Sequence, residues 1–163
     1  MHRLENFLTD HQTYKDFADV KVHSSVEHKN NKYPLVSIHY GNTNALTLLI
    51  TGGVHGLERI GAQLTLSLLS SFRQRLTWDE TLQDMLQKIQ IVFIPLVNPF
   101  GYFATTRSNA DGVDLMRNAA IEASEKVPFL LGGQRYSHKL PWFRGHEHQQ
   151  ETQFVIDTVK DIL

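Results

Sequence analysis

The sequence contains no cysteine, which excludes disulfide bonds and metal sites built on thiolates. A metal ion would therefore be bound by histidine, aspartate or glutamate, and the nine histidines make such a site possible. The chain also has no apolar run of roughly 18 residues, the length that a transmembrane helix needs. Its N-terminal segment has no apolar core of signal-peptide length. We therefore expect a soluble cytoplasmic protein that does not enter a membrane.

An excess of charge of either sign is absent as well. The 16 Lys and Arg residues and the 17 Asp and Glu residues leave a formal net charge of −1. This balance argues against a protein that binds nucleic acid through bulk charge. The content of 41% hydrophobic and 20% charged residues is that of a globular protein. Because 163 residues is the usual size of one domain, we expect a single domain without repeats or a linker.

Hydrophobic patterning predicts an α/β fold. Two strand-like segments, residues 20–28 and 34–40, flank a polar run at residues 29–32, a pattern typical of a hairpin. Residues 45–51 and 89–98 are apolar segments that suit buried strands. Between them, apolar residues recur at helical spacing, namely Leu57, Ile60, Gly61, Leu64, Leu68 and Phe72. Because two strands and a helical crossover form a βαβ unit, we predict a mixed, largely parallel sheet with helices on both faces.

Both ends of the chain also have helical patterns. Residues 3–17 suit a short amphipathic helix, and residues 149–163 place Val155, Val159 and Ile162 on one apolar stripe. That stripe needs a sheet to cover, yet no strand follows it. We therefore expect the domain to be incomplete at its C-terminus, with an unpaired sheet edge and exposed apolar surface.

The segment TGGVHGLE, which follows the apolar residues 45–51, contains a candidate metal site. In α/β sheets, ligands bind in crevices beyond the carboxyl ends of strands. His55 and Glu58 are three residues apart, so on a helical turn both side chains point to one side and could bind one ion. An imidazole nitrogen and a carboxylate oxygen suit zinc. On spacing alone, however, we favour an exposed His and Glu at a helix start, where a negative side chain favours the dipole.

A second cluster, NPFGYFATTRSNADGVDLMRN, follows the apolar residues 89–98 and lies in a long irregular region. Loops of that length usually have a function or are disordered. The ordered pattern HGxE, NPxGY, R-x-N and GVDLxRN, from about Leu46 to Asn118, resembles the zinc carboxypeptidase family, which includes carboxypeptidase A. The resemblance continues weakly at QETQ, before the last helix. It implies a zinc-carboxypeptidase-like fold and a zinc-dependent hydrolase of peptide or other amide bonds.

The resemblance also implies roles for four residues. His55 and Glu58 correspond to two of the family's three zinc ligands. Arg107 corresponds to the catalytic arginine that polarises the scissile carbonyl and stabilises its oxyanion, a task that suits a permanently charged, forked donor. Arg117 corresponds to the substrate-binding arginine that holds a terminal carboxylate, for which bidentate geometry is apt. For both arginines, the alternative is a solvated loop charge or an internal salt bridge.

Two positions depart from the family pattern. Met116 stands where the family commonly has Asn before the carboxylate-binding arginine, and a thioether is only a weak acceptor. This departure favours an alternative substrate, a small N-acyl amino acid cleaved by a zinc-dependent deacylase or amidase of the same clan. Phe100 replaces the common Asp of NPDG, which we interpret as a local packing change. We expect Asn98 and Gly101 to shape the turn rather than to touch substrate.

The family's third ligand, a His, and its general-base Glu lie beyond the positions that this chain covers. His146 and His148 have a spacing that can bind metal, but in a polar, Gln-rich loop we interpret them as exposed surface residues. The resemblance therefore predicts the N-terminal part of a catalytic domain, with Zn²⁺ as cofactor, that is inactive as given. The alternative from another class is a non-catalytic binding domain on the same fold.

Overall fold

The computed structural model of the protein describes Phe7 and residues 17–119, 124–125, 128, 137–139 and 142–163. The helix predicted over residues 3–17 lies almost entirely outside the described residues. Phe7, which is described, is 2% exposed and belongs to the hydrophobic core.

A four-stranded sheet is the centre of the fold. Its strands are β1 (Asp19–His28), β2 (Asn31–Gly41), β3 (Leu46–Thr51) and β4 (Ile89–Ile94), in the spatial order β1-β2-β4-β3. The pairs β1–β2 and β2–β4 are antiparallel, and β3–β4 is parallel. The predicted α/β class and mixed sheet are therefore confirmed.

The share of parallel pairing is smaller than the sequence predicted. Only the β3–β4 pair of the described sheet is parallel, because only these two strands are joined by a helical crossover. The predicted hairpin is present, with a turn of two residues, Lys29 and Asn30. A connection that short forces β1 and β2 to run antiparallel. The description "largely parallel" is thus wrong for the four described strands.

Helices cover both faces of the sheet, as predicted. On one face, α1 (Arg59–Leu76) and α2 (Glu80–Leu86) pack against alternate residues of β2 and β4 in one hydrophobic cluster. On the other face, α4 (Gln150–Asp161) contributes Phe154 to a second cluster. The remaining helical elements are α3 (Pro99–Ala104) and a 3₁₀ turn (Leu115–Arg117). Because both faces are covered, β4 is buried along almost its whole length.

The face of α1 that contacts the sheet is not the one that the apolar spacing indicated. Its buried residues are Ala62, Thr65, Leu66, Leu69 and Leu76. The predicted stripe is instead exposed, since Ile60, Leu64 and Leu68 are 74%, 67% and 46% exposed. The physical reason is close packing at the start of the helix. A Cβ on Gly52 would lie 2.5 Å from the Thr65 hydroxyl, so small side chains let the helix approach the end of β3.

The exposed stripe of α1 adjoins an edge strand. β3 contacts α1 and is an edge strand, because β4 is its only partner among the described strands. Its Leu46 and Leu48 are 83% and 54% exposed. Leu46, Leu48, Ile60, Leu64 and Leu68 together are called the apolar edge below. The expected unpaired sheet edge with exposed apolar surface is present in the described part of the chain.

The last helix is also rotated relative to the sequence prediction. α4 packs on β1 and β2 and buries Glu151, Thr152, Phe154 and Thr158. The predicted stripe of Val155, Val159 and Ile162 is only partly buried. The helix therefore covers the β1–β2 part of the sheet with a face other than the predicted stripe. Among the described residues, no helix is both long and apolar enough to cross a membrane.

Candidate active site

The segments that follow β3 and β4 lie side by side. The Gly52 N–H donates to the Ile94 carbonyl at 2.9 Å, and the Gly52 carbonyl accepts from Val97 N–H at 3.0 Å. Asn98 N–H then donates to the Gly53 carbonyl at 2.9 Å. The parallel pairing thus extends past the strand ends, and the two motif-bearing segments emerge at the same edge of the sheet.

Two glycines allow these segments to touch. A Cβ on Gly56 would lie 1.8 Å from the backbone carbon of Gly101, closer than any side chain permits. Asn98, fully buried, caps α3 by accepting from the Gly101 N–H at 2.8 Å. Leu57 N–H donates to the Thr106 carbonyl at 3.0 Å and completes the junction. Asn98 and Gly101 therefore shape the turn, in agreement with the sequence prediction.

His55 and Glu58 are brought together at the start of α1. Nδ1 of His55 lies 3.0 Å from Oε1 of Glu58. The Glu58 N–H donates to the His55 carbonyl at 3.1 Å, so a single turn before the helix holds both side chains on one side. The His55 side chain is 11% exposed and that of Glu58 is 54% exposed, which leaves the pair accessible from solvent.

Asp114 is part of this cluster, although the sequence motifs did not single it out. Its Oδ1 accepts from Nε2 of His55 at 3.1 Å, and its Oδ2 accepts from Nε of Arg107 at 2.9 Å. Oδ1 also accepts from the Met116 N–H at 3.1 Å, at the start of the 3₁₀ turn. The residue is 1% exposed. The available signal was the Asp of GVDLMRN, which lies between the two arginines of the motif.

Arg107 joins the same cluster. Besides its bond to Asp114, its Nη1 donates to Oε1 of Glu58 at 3.0 Å. Thus His55, Glu58, Arg107 and Asp114 form one connected group of charged and polar side chains. Helix and strand periodicity does not predict that Arg107 and Asp114 of the second motif contact the first motif. The contact arises because the loops after β3 and β4 are adjacent.

The asparagines of the second motif hold the loop in shape. Asn109 accepts from the Val113 N–H at 3.0 Å and donates to the Glu151 carboxylate at 3.1 Å. Burial raises the pKa of Glu151 above its ordinary value. Asn118 donates to the Arg144 carbonyl at 2.7 Å and accepts from the Gln149 N–H at 2.8 Å. These bonds tie the Arg107–Arg117 segment to the start of α4.

Arg117 is placed near this loop but outside the charged cluster. Its guanidinium makes no hydrogen bond or ion pair with any part of the chain that the structure describes, and it is partly exposed. Met116 beside it is 56% exposed. The structure therefore leaves Arg117 available to an anionic group, with a thioether next to it where the family commonly has an amide.

The remaining histidine candidates do not join the pair. The His146 ring packs against Phe143, with ring centroids 5.5 Å apart. Within the described ranges, no group of three or more His, Asp or Glu side chains is positioned to hold a metal ion. Phe100 packs against His28 at 4.4 Å between ring centroids, which agrees with a local packing change.

The His55–Glu58 pair fits zinc in two respects. Two ligands of one tetrahedral zinc ion, with bonds of about 2.0–2.1 Å, are roughly 3.3 Å apart. The observed separation of 3.0 Å is close to that value. When Nε2 donates to Asp114, the lone pair of a neutral imidazole is on Nδ1, the nitrogen that faces Glu58. The described residues thus supply two side chains of the kinds that bind zinc, with a carboxylate at the other ring nitrogen, so this edge of the sheet is a candidate metal site.

Sequence comparison identifies the family. A family model described as zinc carboxypeptidase matches residues 4–162. The chain belongs to the zinc carboxypeptidase family. Among curated proteins, carboxypeptidase SOL1 of Arabidopsis thaliana is 33% identical over 67 residues, which are 41% of this chain and 14% of that protein.

Solved structures show the same fold at low sequence identity. Carboxypeptidase A from Helicoverpa armigera is similar with a TM-score of 0.73 and 18% identity, covering 98% of this chain and 41% of that one. Bovine thrombin-activatable fibrinolysis inhibitor, in complex with tick carboxypeptidase inhibitor, is similar with a TM-score of 0.71 and 20% identity. That match covers 98% of this chain and 54% of that one. The chain thus spans about half or less of the length of these relatives.

Proposed function

We propose that the chain forms part of a zinc-dependent hydrolase of amide bonds, of the metallocarboxypeptidase type. The observation that supports this function is the arrangement of His55 between two carboxylates. Its Nδ1 faces Glu58 at 3.0 Å, and its Nε2 is oriented by the buried Asp114 at 3.1 Å. A metal ligand with a carboxylate on its other ring nitrogen is the common arrangement in zinc sites. His55 and Glu58 are the proposed ligands of Zn²⁺.

The other residues of the cluster have distinct proposed tasks. When bound, zinc polarises a carbonyl group and lowers the pKa of a water molecule. Arg107, held through Nε by Asp114, offers its remaining N–H groups to the oxygen of the scissile carbonyl as negative charge develops there. Arg117, which has no ionic partner in the described ranges, binds the terminal carboxylate of the substrate. Its fork of donors allows two parallel hydrogen bonds.

We further propose that residues 1–163 do not hydrolyse substrate by themselves. The described residues supply two ligands, whereas catalytic zinc sites commonly have three. The family resemblance also implies a general-base Glu, and none of the described residues is proposed for that role. A single domain over residues 1–163 and a cytoplasmic location stay predictions from the sequence.

A second candidate function is a zinc-dependent deacylase of small N-acyl amino acids. The exposed Met116 beside Arg117 favours it, because the neighbour of the carboxylate-binding group is apolar and offers no amide donor.

One comparison of substrates tests both candidates. A polypeptide that contains this chain is assayed, with and without a zinc chelator, against three substrates: a free-carboxylate peptide, its amidated counterpart and an N-acyl amino acid. Chelator-sensitive release with preference for the free-carboxylate peptide supports the carboxypeptidase function. Preference for the N-acyl amino acid supports the deacylase. Zinc binding without hydrolysis of any of the three would favour a non-catalytic domain.

A further inference from the structure

Two groups of the site approach one oxygen atom, Oε1 of Glu58. Nδ1 of His55 and Nη1 of Arg107 each lie 3.0 Å from it. Because Oε1 faces the ring nitrogen that is free to bind metal, it is also the oxygen that a metal ion between the two ligands would contact. A metal ion held there would therefore compete with Arg107 for the same carboxylate oxygen.

The two ion pairs of Arg107 differ in their surroundings. Nε donates at 2.9 Å to Asp114, whose side chain is 2% exposed, whereas Nη1 donates to Glu58, whose side chain is 54% exposed. An ion pair with a solvent-exposed carboxylate is weakly held. The buried Asp114 therefore fixes the Nε edge of the planar guanidinium, and the Glu58 contact is the one that can be exchanged.

We propose that Arg107 is the counter-ion of Glu58 and gives way to the metal, so that metal binding releases the arginine for the substrate. When Glu58 binds the metal, Nη1 loses its acceptor while Nε remains held by Asp114. The freed N–H group then points from the same anchored guanidinium into the site, where it can donate to a carbonyl oxygen. This inference rests on the proposed function, since it needs a metal at His55 and Glu58.

If Arg107 competes with the metal for Glu58, its removal should change the metal affinity. No such change is expected if Arg107 has only a structural role. The change Arg107→Met removes a competitor for Oε1 and a positive charge close to the metal position, so zinc should bind more tightly. Arg117→Met is the matched control, because it removes the same charge from the same loop, and its guanidinium has no contact with Glu58 in the described ranges. We expect zinc affinity to rise at least about threefold in Arg107→Met and to stay within about twofold in Arg117→Met.

Calorimetric titration of a polypeptide that contains this chain with a zinc salt tests this, with Glu58→Gln as the reference that lacks the anionic ligand. Tighter binding in Arg107→Met alone supports the proposal. Unchanged or weaker binding in that variant, with binding still lost in Glu58→Gln, overturns the proposal and leaves the metal site intact. Binding that does not depend on Glu58 in any variant overturns the proposed metal site itself.

A measurement on the unmodified chain avoids dependence on the folding of a variant. The guanidinium nitrogen resonances of Arg107 are followed by NMR during the zinc titration. We expect the Nη signals to shift with the occupancy of the site while the Nε signal changes little. Nη signals that do not respond to zinc, when those of the His55 ring do, would contradict the release of Arg107.

Discussion

Nε2 of His55 lies 3.1 Å from Oδ1 of Asp114, a carboxylate that is 1% exposed. The same carboxylate accepts from Nε of Arg107 at 2.9 Å through its other oxygen. One buried side chain thus orients a proposed metal ligand and a proposed oxyanion donor, which come from loops after different strands. Removal of this carboxylate should therefore disturb both groups.

The change Asp114→Asn should weaken zinc binding. An amide can still accept from His55 through Oδ1, but it places an N–H₂ group against the N–H of Arg107, so the cluster loses its alignment. Loss of such an orienting partner typically lowers metal affinity about 10–100-fold. Zinc titration measures the effect, and Asp111→Asn, on the exposed part of the same loop, is the control. Equal affinities in wild type and Asp114→Asn would exclude the orienting role.

The change Arg107→Lys should lower turnover without removing the metal. Lysine keeps the charge but lacks the planar guanidinium, which donates to Asp114 and Glu58 at the same time. In an active polypeptide that contains this chain, we expect kcat to fall on the order of 10²-fold or more, as for other oxyanion donors. Zinc content should remain that of the wild type. If turnover is unchanged, Arg107 is only a structural loop charge.

Stability should decrease on acidification because of a buried histidine remote from the site. Burial lowers the pKa of His39 from 6.5 to about 4, with a smaller contribution from Lys21. The ring is 5% exposed and its Nε2 lies 2.7 Å from the Ser37 hydroxyl, which also lies 2.8 Å from Nε2 of His23. The unfolded chain therefore binds more protons than the native protein between about pH 6.5 and pH 4. The stabilisation is complete above pH 6.5 and is lost as the pH falls toward 4.

Denaturant unfolding at several pH values measures this loss. Between pH 7 and pH 4.5, His39 should account for about 2–3 kcal/mol of the decrease in the free energy of unfolding. The variant His39→Gln should show a correspondingly shallower pH dependence. His138→Gln, at an exposed turn, should retain the steep one. The same pH profile in wild type and His39→Gln would show that His39 is not the titrating group.

The two faces of α1 give a matched pair of substitutions. Leu69 is 0% exposed in the core and Leu64 is 67% exposed on the apolar edge, within one helix. Leu69→Ala should lower the free energy of unfolding by about 2–5 kcal/mol, the usual cost of a core cavity. Leu64→Ala should change it by less than about 0.5 kcal/mol. Chemical denaturation measures the free energy of unfolding of both variants. A larger loss in Leu64→Ala than in Leu69→Ala would support the helix orientation that the sequence pattern predicted.

Local patterns predicted the elements and the first half of the site. The apolar runs at Leu46–Thr51 and Ile89–Ile94 are strands, and the helix between them makes their pairing parallel. The three-residue spacing of His55 and Glu58 correctly indicated that their side chains meet, since that contact depends on a single turn of backbone. Such features follow from residues that are close in the sequence.

Features that depend on distant residues were not predicted. Asp114 is 59 residues from His55, and no periodicity encodes a contact between two loops that only the sheet brings together. The buried face of α1 was also predicted wrongly, because apolar spacing does not tell which stripe the sheet covers. The buried face has small residues such as Ala62 and Thr65, which allow the helix to approach the ends of the strands closely. Exposed Leu64 shows that the more apolar stripe need not be the buried one.

The zinc content of the purified polypeptide that contains this chain is the most direct test of the proposed metal site. Metal analysis after removal of excess zinc should give one zinc ion per polypeptide. The ion should be lost in His55→Ala, since two remaining ligands seldom retain a catalytic zinc. It should be kept in His146→Ala, whose ring packs on Phe143 instead. Undiminished zinc in His55→Ala would contradict the assignment of His55 as a ligand.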